Sequence, residues 1–82
     1  MKILIDERTY EGSAAEIMEQ LRQQTFDPTE YPDTESYIYQ LRSNFIRATD
    51  LDCPLPESGV EQQARTMFAY LAKAGALTIL EE

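Results

Sequence analysis

Cys53 is the single thiol of the chain and its strongest nucleophile, but His, the residue that most often deprotonates a nucleophile, is absent from the sequence. The preceding Asp52 places a negative charge beside the sulfur, and a nearby carboxylate raises a thiol pKa. Cys53 therefore reads as an inert linker thiol. Asp50, Asp52 and Glu57 follow a calcium-loop spacing only loosely, because Pro54 falls at the next ligand position and no Gly supplies the sharp turn. Glu16 and Glu61 form the carboxylate pair that glycoside hydrolysis would need, yet each stands where a helix start already explains it. The glycines at 12, 59 and 75 stand apart, so no phosphate-cradling loop exists. The reading is a protein with no catalytic residue, no cofactor and no metal ligand set.

What remains is surface. Fifteen Asp and Glu against seven Lys and Arg give a net charge of -8. That charge repels phosphates, so nucleic acid is disfavoured as a partner, and it steers encounters with basic proteins through on-rate. At helical spacing Tyr39, Arg42 and Ile46 adjoin one another, with Ser43 alongside and Arg47 as an extension. An aromatic ring, guanidinium groups and a branched aliphatic are the types that carry binding energy at interfaces. These four residues are the candidate partner-binding site; burial of Tyr39 and Ile46 under another helix is the competing reading. On the surface reading, Arg42→Glu weakens capture of a protein partner without moving the melting temperature. A second acidic and aromatic segment, Tyr31 with Asp27, Glu30, Asp33 and Glu35, could meet a basic peptide.

The function expected is a non-catalytic protein-interaction, adaptor or regulatory module, with homodimerisation open to it. The alternative is a nucleic-acid regulator with the outline of a winged helix-turn-helix. Its recognition helix would need outward Lys, Arg, Asn or Gln. The second helix offers Gln40, Arg42, Asn44 and Arg47, and the third offers Gln62, Gln63, Arg65 and Lys73. An acidic mimic of DNA is a rarer third option.

These surfaces need a scaffold. A chain of 82 residues allows one domain, and 43% hydrophobic residues are enough for a folded core. A single cysteine precludes an internal disulfide and suits a reducing compartment, so a cytoplasmic location is expected. No apolar run approaches the roughly 20 residues of a membrane span, and Met1–Ile5 is too short for a signal peptide.

The periodicities predict β-β-α-α-α-β, an α+β domain in which the two chain ends form a short antiparallel sheet with three helices on one face. Lys2-Ile3-Leu4-Ile5 and Arg8-Thr9-Tyr10-Glu11 read as a hairpin about Asp6-Glu7, with Ile3 opposite Tyr10 and Ile5 opposite Arg8. Asp-Glu is a poor choice there, since the favoured two-residue turn needs positive φ at both positions. Ser13 and Glu16 form a capping box, followed by the stripe Ala14, Ile17, Met18 and Leu21. Two prolines make residues 27–32 an irregular connection. Asp33 caps a second helix whose core arc is Tyr37, Ile38, Leu41, Phe45 and Ala48. Pro54 and Pro56 make residues 50–56 a stiff linker, with Leu51 and Leu55 dipping into the core. Ser58 and Glu61 form a second capping box ahead of the stripe Val60, Ala64, Met67, Phe68, Leu71 and Ala72. Gly75 ends that helix in the left-handed conformation, and residues 76–80 read as the last strand.

Overall fold

The computed structural model describes residues 1–24, 33–57 and 59–82. The elements run β1 (Lys2–Ile5), β2 (Arg8–Glu11), α1 (Ala14–Gln23), α2 (Thr34–Thr49), α3 (Gly59–Lys73) and β3 (Thr78–Glu81). The sheet order is β2-β1-β3, so the first strand is central and the two chain ends are zipped side by side. Both pairings are antiparallel. The expected α+β architecture is the one observed.

The hairpin register follows from side-chain alternation. Ile3 pairs with Tyr10 and Ile5 with Arg8 on one side of β1, and Ile3 pairs with Ile79 on the other. Tyr10, Ile3 and Ile79 thus form a row across the sheet. Ile3 and Tyr10 are buried and Ile79 packs against the core. The outward set includes Leu80, which is 46% exposed. Between Ile3 and Lys2 the β3 partner jumps from Ile79 to Glu81, a bulge that leaves Leu80 as the extra residue.

The turn carries the strain its sequence implies. Asp6 and Glu7 have φ of 47° and 71°, the positive pair that matches the right-handed twist of a two-residue hairpin. Neither residue is glycine, and L-residues adopt this region at a cost of about 1–2 kcal/mol. Glu7→Gly is therefore expected to stabilise the domain by roughly 0.5–1 kcal/mol, the unfolded chain's gain in freedom taking back part of the relief. A urea midpoint that rises with an unchanged slope would show it; a fall would mean that the turn has another geometry in solution.

Helix ends follow local rules. Ser13 Oγ accepts from Glu16 N–H at 3.1 Å and Glu16 Oε1 accepts from Ser13 N–H at 3.1 Å, the reciprocal capping box. Asp33 Oδ1 accepts from Ser36 N–H at 2.8 Å at the start of α2. At the end of α3, Gly75 has φ of 83°, Gly75 N–H donates to Ala72 O, and Ala76 N–H donates to Leu71 O. These are the two bonds of a Schellman motif. The motif occupies Ala76, which is why the last strand is Thr78–Glu81 and not 76–80 as the apolar run suggests.

One core joins all layers: Ile3 and Tyr10 from the sheet, Ala14, Ile17 and Met18 from α1, Ile38 and Phe45 from α2, Ala64, Met67 and Phe68 from α3, and Cys53 and Leu77. Two expectations are corrected. Ala48 is exposed, whereas the rest of the α2 arc is covered, Ile38 and Phe45 fully and Tyr37 and Leu41 in part. Leu51 is 59% exposed, while Leu55 packs against the core as expected. The expected irregular connection at residues 27–32, the Tyr31 segment apart from Asp33 and Glu35, and the Ser58 half of the second capping box lie outside the described residues.

The linker is a strap laid between α2 and α3. Arg42 of α2 donates from Nε to the Cys53 carbonyl at 2.7 Å, Cys53 Sγ lies 3.9 Å from Met67 Sδ, and Gln63 Nε2 donates to the Pro56 carbonyl at 3.1 Å. From the end of α2 at Thr49 the strap runs back to Arg42 at Cys53, and along α3 its contacts step back from Met67 to Gln63. The two helices therefore point the same way, and the strap returns the chain from the end of one to the start of the other.

Candidate functional site

Three of the four candidate partner-binding residues, Tyr39, Arg42 and Ile46, belong to the α2 flank beside the strap, and Arg47 follows one position later. Tyr39 is 44% exposed and Arg47 is exposed, whereas Arg42 and Ile46 are half-buried, Ile46 resting on the core. The contact from Arg42 Nε to the Cys53 carbonyl fixes the guanidinium plane, and neither Nη has a partner among the described residues. An arginine so held can offer its remaining N–H groups to a carboxylate with little further loss of side-chain freedom. The same contact corrects the expectation that Arg42→Glu leaves the melting temperature in place: the change would unclamp the strap and set a carboxylate against a carbonyl oxygen, so the variant should be destabilised.

Four of the polar residues a nucleic-acid reader would use, Gln40, Asn44, Gln63 and Arg65, are engaged within the fold, whereas Arg47, Gln62 and Lys73 are exposed. Gln40 Nε2 donates to Asn44 Oδ1 at 3.2 Å on α2. On α3, Arg65 Nε pairs with Glu61 at 2.9 Å, and Gln63 is only 5% exposed with its amide donating to Pro56. Gln63 Oε1 is buried with no hydrogen-bond partner among the described residues.

Cys53 is fully buried, and burial raises its thiol pKa; Arg42 opposes this shift and Asp52 adds to it. A buried thiol of raised pKa is a poor nucleophile. Among the described residues no three of His, Cys, Asp or Glu gather as a metal site, Asp50, Asp52 and Glu57 included.

Glu16 and Glu61 do come together, at the first turn of α1. Glu61 reaches across from α3, its oxygens accepting from Ala14 N–H at 3.2 Å and Ala15 N–H at 2.9 Å. With Glu16 N–H donating to Ser13, the opening amides of α1 are all engaged, and none is left for an outside anion. These bonds, the Ala15 amide foremost, hold the Glu61 pKa below its ordinary value. A general acid in a glycosidase needs the opposite shift.

A second carboxylate ties α1 to α2. Glu19 accepts from Arg22 Nη2 at 2.6 Å, Gln23 Nε2 at 3.0 Å and Thr34 Oγ1 at 2.6 Å. Its pKa is lowered to about 2, first by the Arg22 bond and then by Thr34. Asp33 is lowered as well, chiefly by the Ser36 amide. A carboxylate with a depressed folded pKa stabilises the fold above its unfolded pKa and loses that contribution as pH falls through the folded one. Stability should accordingly be flat above about pH 5 and decline between the ordinary Glu value of 4.5 and about 2. Urea midpoints across that range test this, and Glu19→Gln should flatten the decline. A decline that is as steep in the variant would place the responsible group elsewhere.

The sequence passed over one further feature. Leu51 stands beside a hollow of about 320 Å³ whose walls are Phe45, Leu51, Asp52, Tyr70, Lys73 and Ala74. Tyr70 lies off the apolar stripe of α3 and meets Phe45 edge-on, ring centroids 5.8 Å apart. An aromatic off the main stripe was the available clue.

No helix among the described residues is long and apolar enough to cross a membrane. No protein-family model, curated protein or solved structure matches the chain.

Proposed function

We propose that this protein is a non-catalytic interaction module of the adaptor or regulatory kind, and that it grips a protein partner through Tyr39, Arg42, Ile46 and Arg47. The observation that carries this reading is an exposed Tyr39 one helical turn before an arginine whose guanidinium is already held by the strap. An aromatic anchor with a preorganised arginine gains affinity because little freedom remains to be lost on binding. Ile46 supplies an apolar floor, and Arg47 adds a second cation at the rim. The net charge of -8 argues for protein over nucleic acid as the partner. A reducing, cytoplasmic setting fits the lone buried thiol.

Ser43 is exposed in the middle of this surface, and Gln62 is exposed on α3. A photo-cross-linking amino acid at position 43, in cells producing the full chain, should yield one dominant protein adduct that position 62 does not give. Identical adducts from both positions, or none from either, would remove the proposed surface.

A further inference from the structure

The exposed Leu51 and the hollow beside it form a patch separate from the α2 flank. Leu51 is the most exposed large hydrophobic residue among those described, at 59%, yet its backbone is pinned on both sides. Asp50 N–H donates to the Ile46 carbonyl at 2.8 Å and Leu51 N–H to Thr49 Oγ1 at 3.3 Å. On the other side, Cys53 N–H donates to Asp52 Oδ1 at 2.9 Å, the Cys53 side chain is buried, and Arg42 holds its carbonyl. The leucine is a fixed apolar knob. The apolar parts of the hollow come from Phe45, Tyr70, Ala74 and the flank of Leu51 itself, with one anion, Asp52, and one cation, Lys73, in its wall. Lys73 has no ion pair among the described residues.

We infer that this patch docks a second copy of the chain about a twofold axis, the Leu51 of each copy entering the hollow of the other and Asp52 facing Lys73 across the contact. Charge complementarity argues for this occupant. A uniformly basic segment would meet Lys73, and a uniformly acidic one would meet Asp52. A patch that carries knob, hollow and both signs is complementary to itself, which is what an isologous contact requires. The patch is small, so association is weak. Each copy also carries a charge of -8, whose mutual repulsion salt screens.

The test is sedimentation of the full chain in a dilution series at low and high NaCl. Molar mass should climb from 9.4 kDa towards twice that value with concentration, and more readily at high salt. Leu51→Asp should weaken association by about tenfold or more, since the change acts twice in a symmetric dimer, and leave the melting temperature in place. Asp52→Lys and Lys73→Asp should each weaken it, and together should restore it. A chain that stays monomeric throughout overturns the proposal. So does a dimer indifferent to Leu51→Asp, which would move the contact to another surface such as the β3 edge.

Discussion

Ile3→Ala should lower stability by about 2–5 kcal/mol, the range for truncating a fully buried isoleucine. Ile3 is 0% exposed at the centre of the only described sheet, between Tyr10 on β2 and Ile79 on β3. The effect is large against the whole, because a domain of 82 residues holds roughly 4–12 kcal/mol in total. The melting temperature should drop by roughly 10–25 °C. Because the side chain is shared by both strand pairs, amide exchange should accelerate at Tyr10 and at Ile79 together. Leu4→Ala, one residue along on the opposite face, should cost far less. Equal costs at positions 3 and 4 would mean that the sheet does not present one face to the helices.

Arg42→Ala is expected to cost about 1.5–3 kcal/mol, as for a hydrogen bond from a charged group. The bond from its Nε to the Cys53 carbonyl spans the strap, and the Cys53 side chain lies buried directly beneath. Removing the clamp should let the strap open locally before the domain unfolds. Labelling of the Cys53 thiol by an exposed-thiol reagent should then quicken well beyond what the loss of global stability produces. Met67→Ala, which opens the core beside the same sulfur without touching the clamp, is the control. Labelling that tracks global stability alike in both variants would show that Arg42 is no clamp.

Features fixed by neighbours in sequence were legible before any coordinates. The hairpin register, the Ser13 and Glu16 box, the Asp33 cap and the left-handed Gly75 each depend on residues within a few positions of one another. The pairing of the chain ends was also legible, by a different argument, since a lone terminal strand would leave its backbone groups unpaired. What the sequence hid was set by distance. Glu61 reads as a cap for its own helix, yet its oxygens accept from Ala14 and Ala15, 47 and 46 residues away. Leu51 reads as core because it is leucine between elements; the strap enters the core at Cys53 instead and turns Leu51 outwards. Helical periodicity sets Arg42 and Ile46 on the same side of α2 as Tyr39, but it carries no information on which part of that flank the returning chain would occupy.

The most direct test of the account combines Tyr39→Ala with Arg47→Ala in the protein that carries the cross-linker at position 43. Both side chains are exposed and lie off the strap clamp, so the melting temperature should move by no more than about 2–4 °C. The dominant partner adduct should disappear. An adduct that persists at full yield in a folded variant would contradict the account, and so would an adduct lost only in step with the fold.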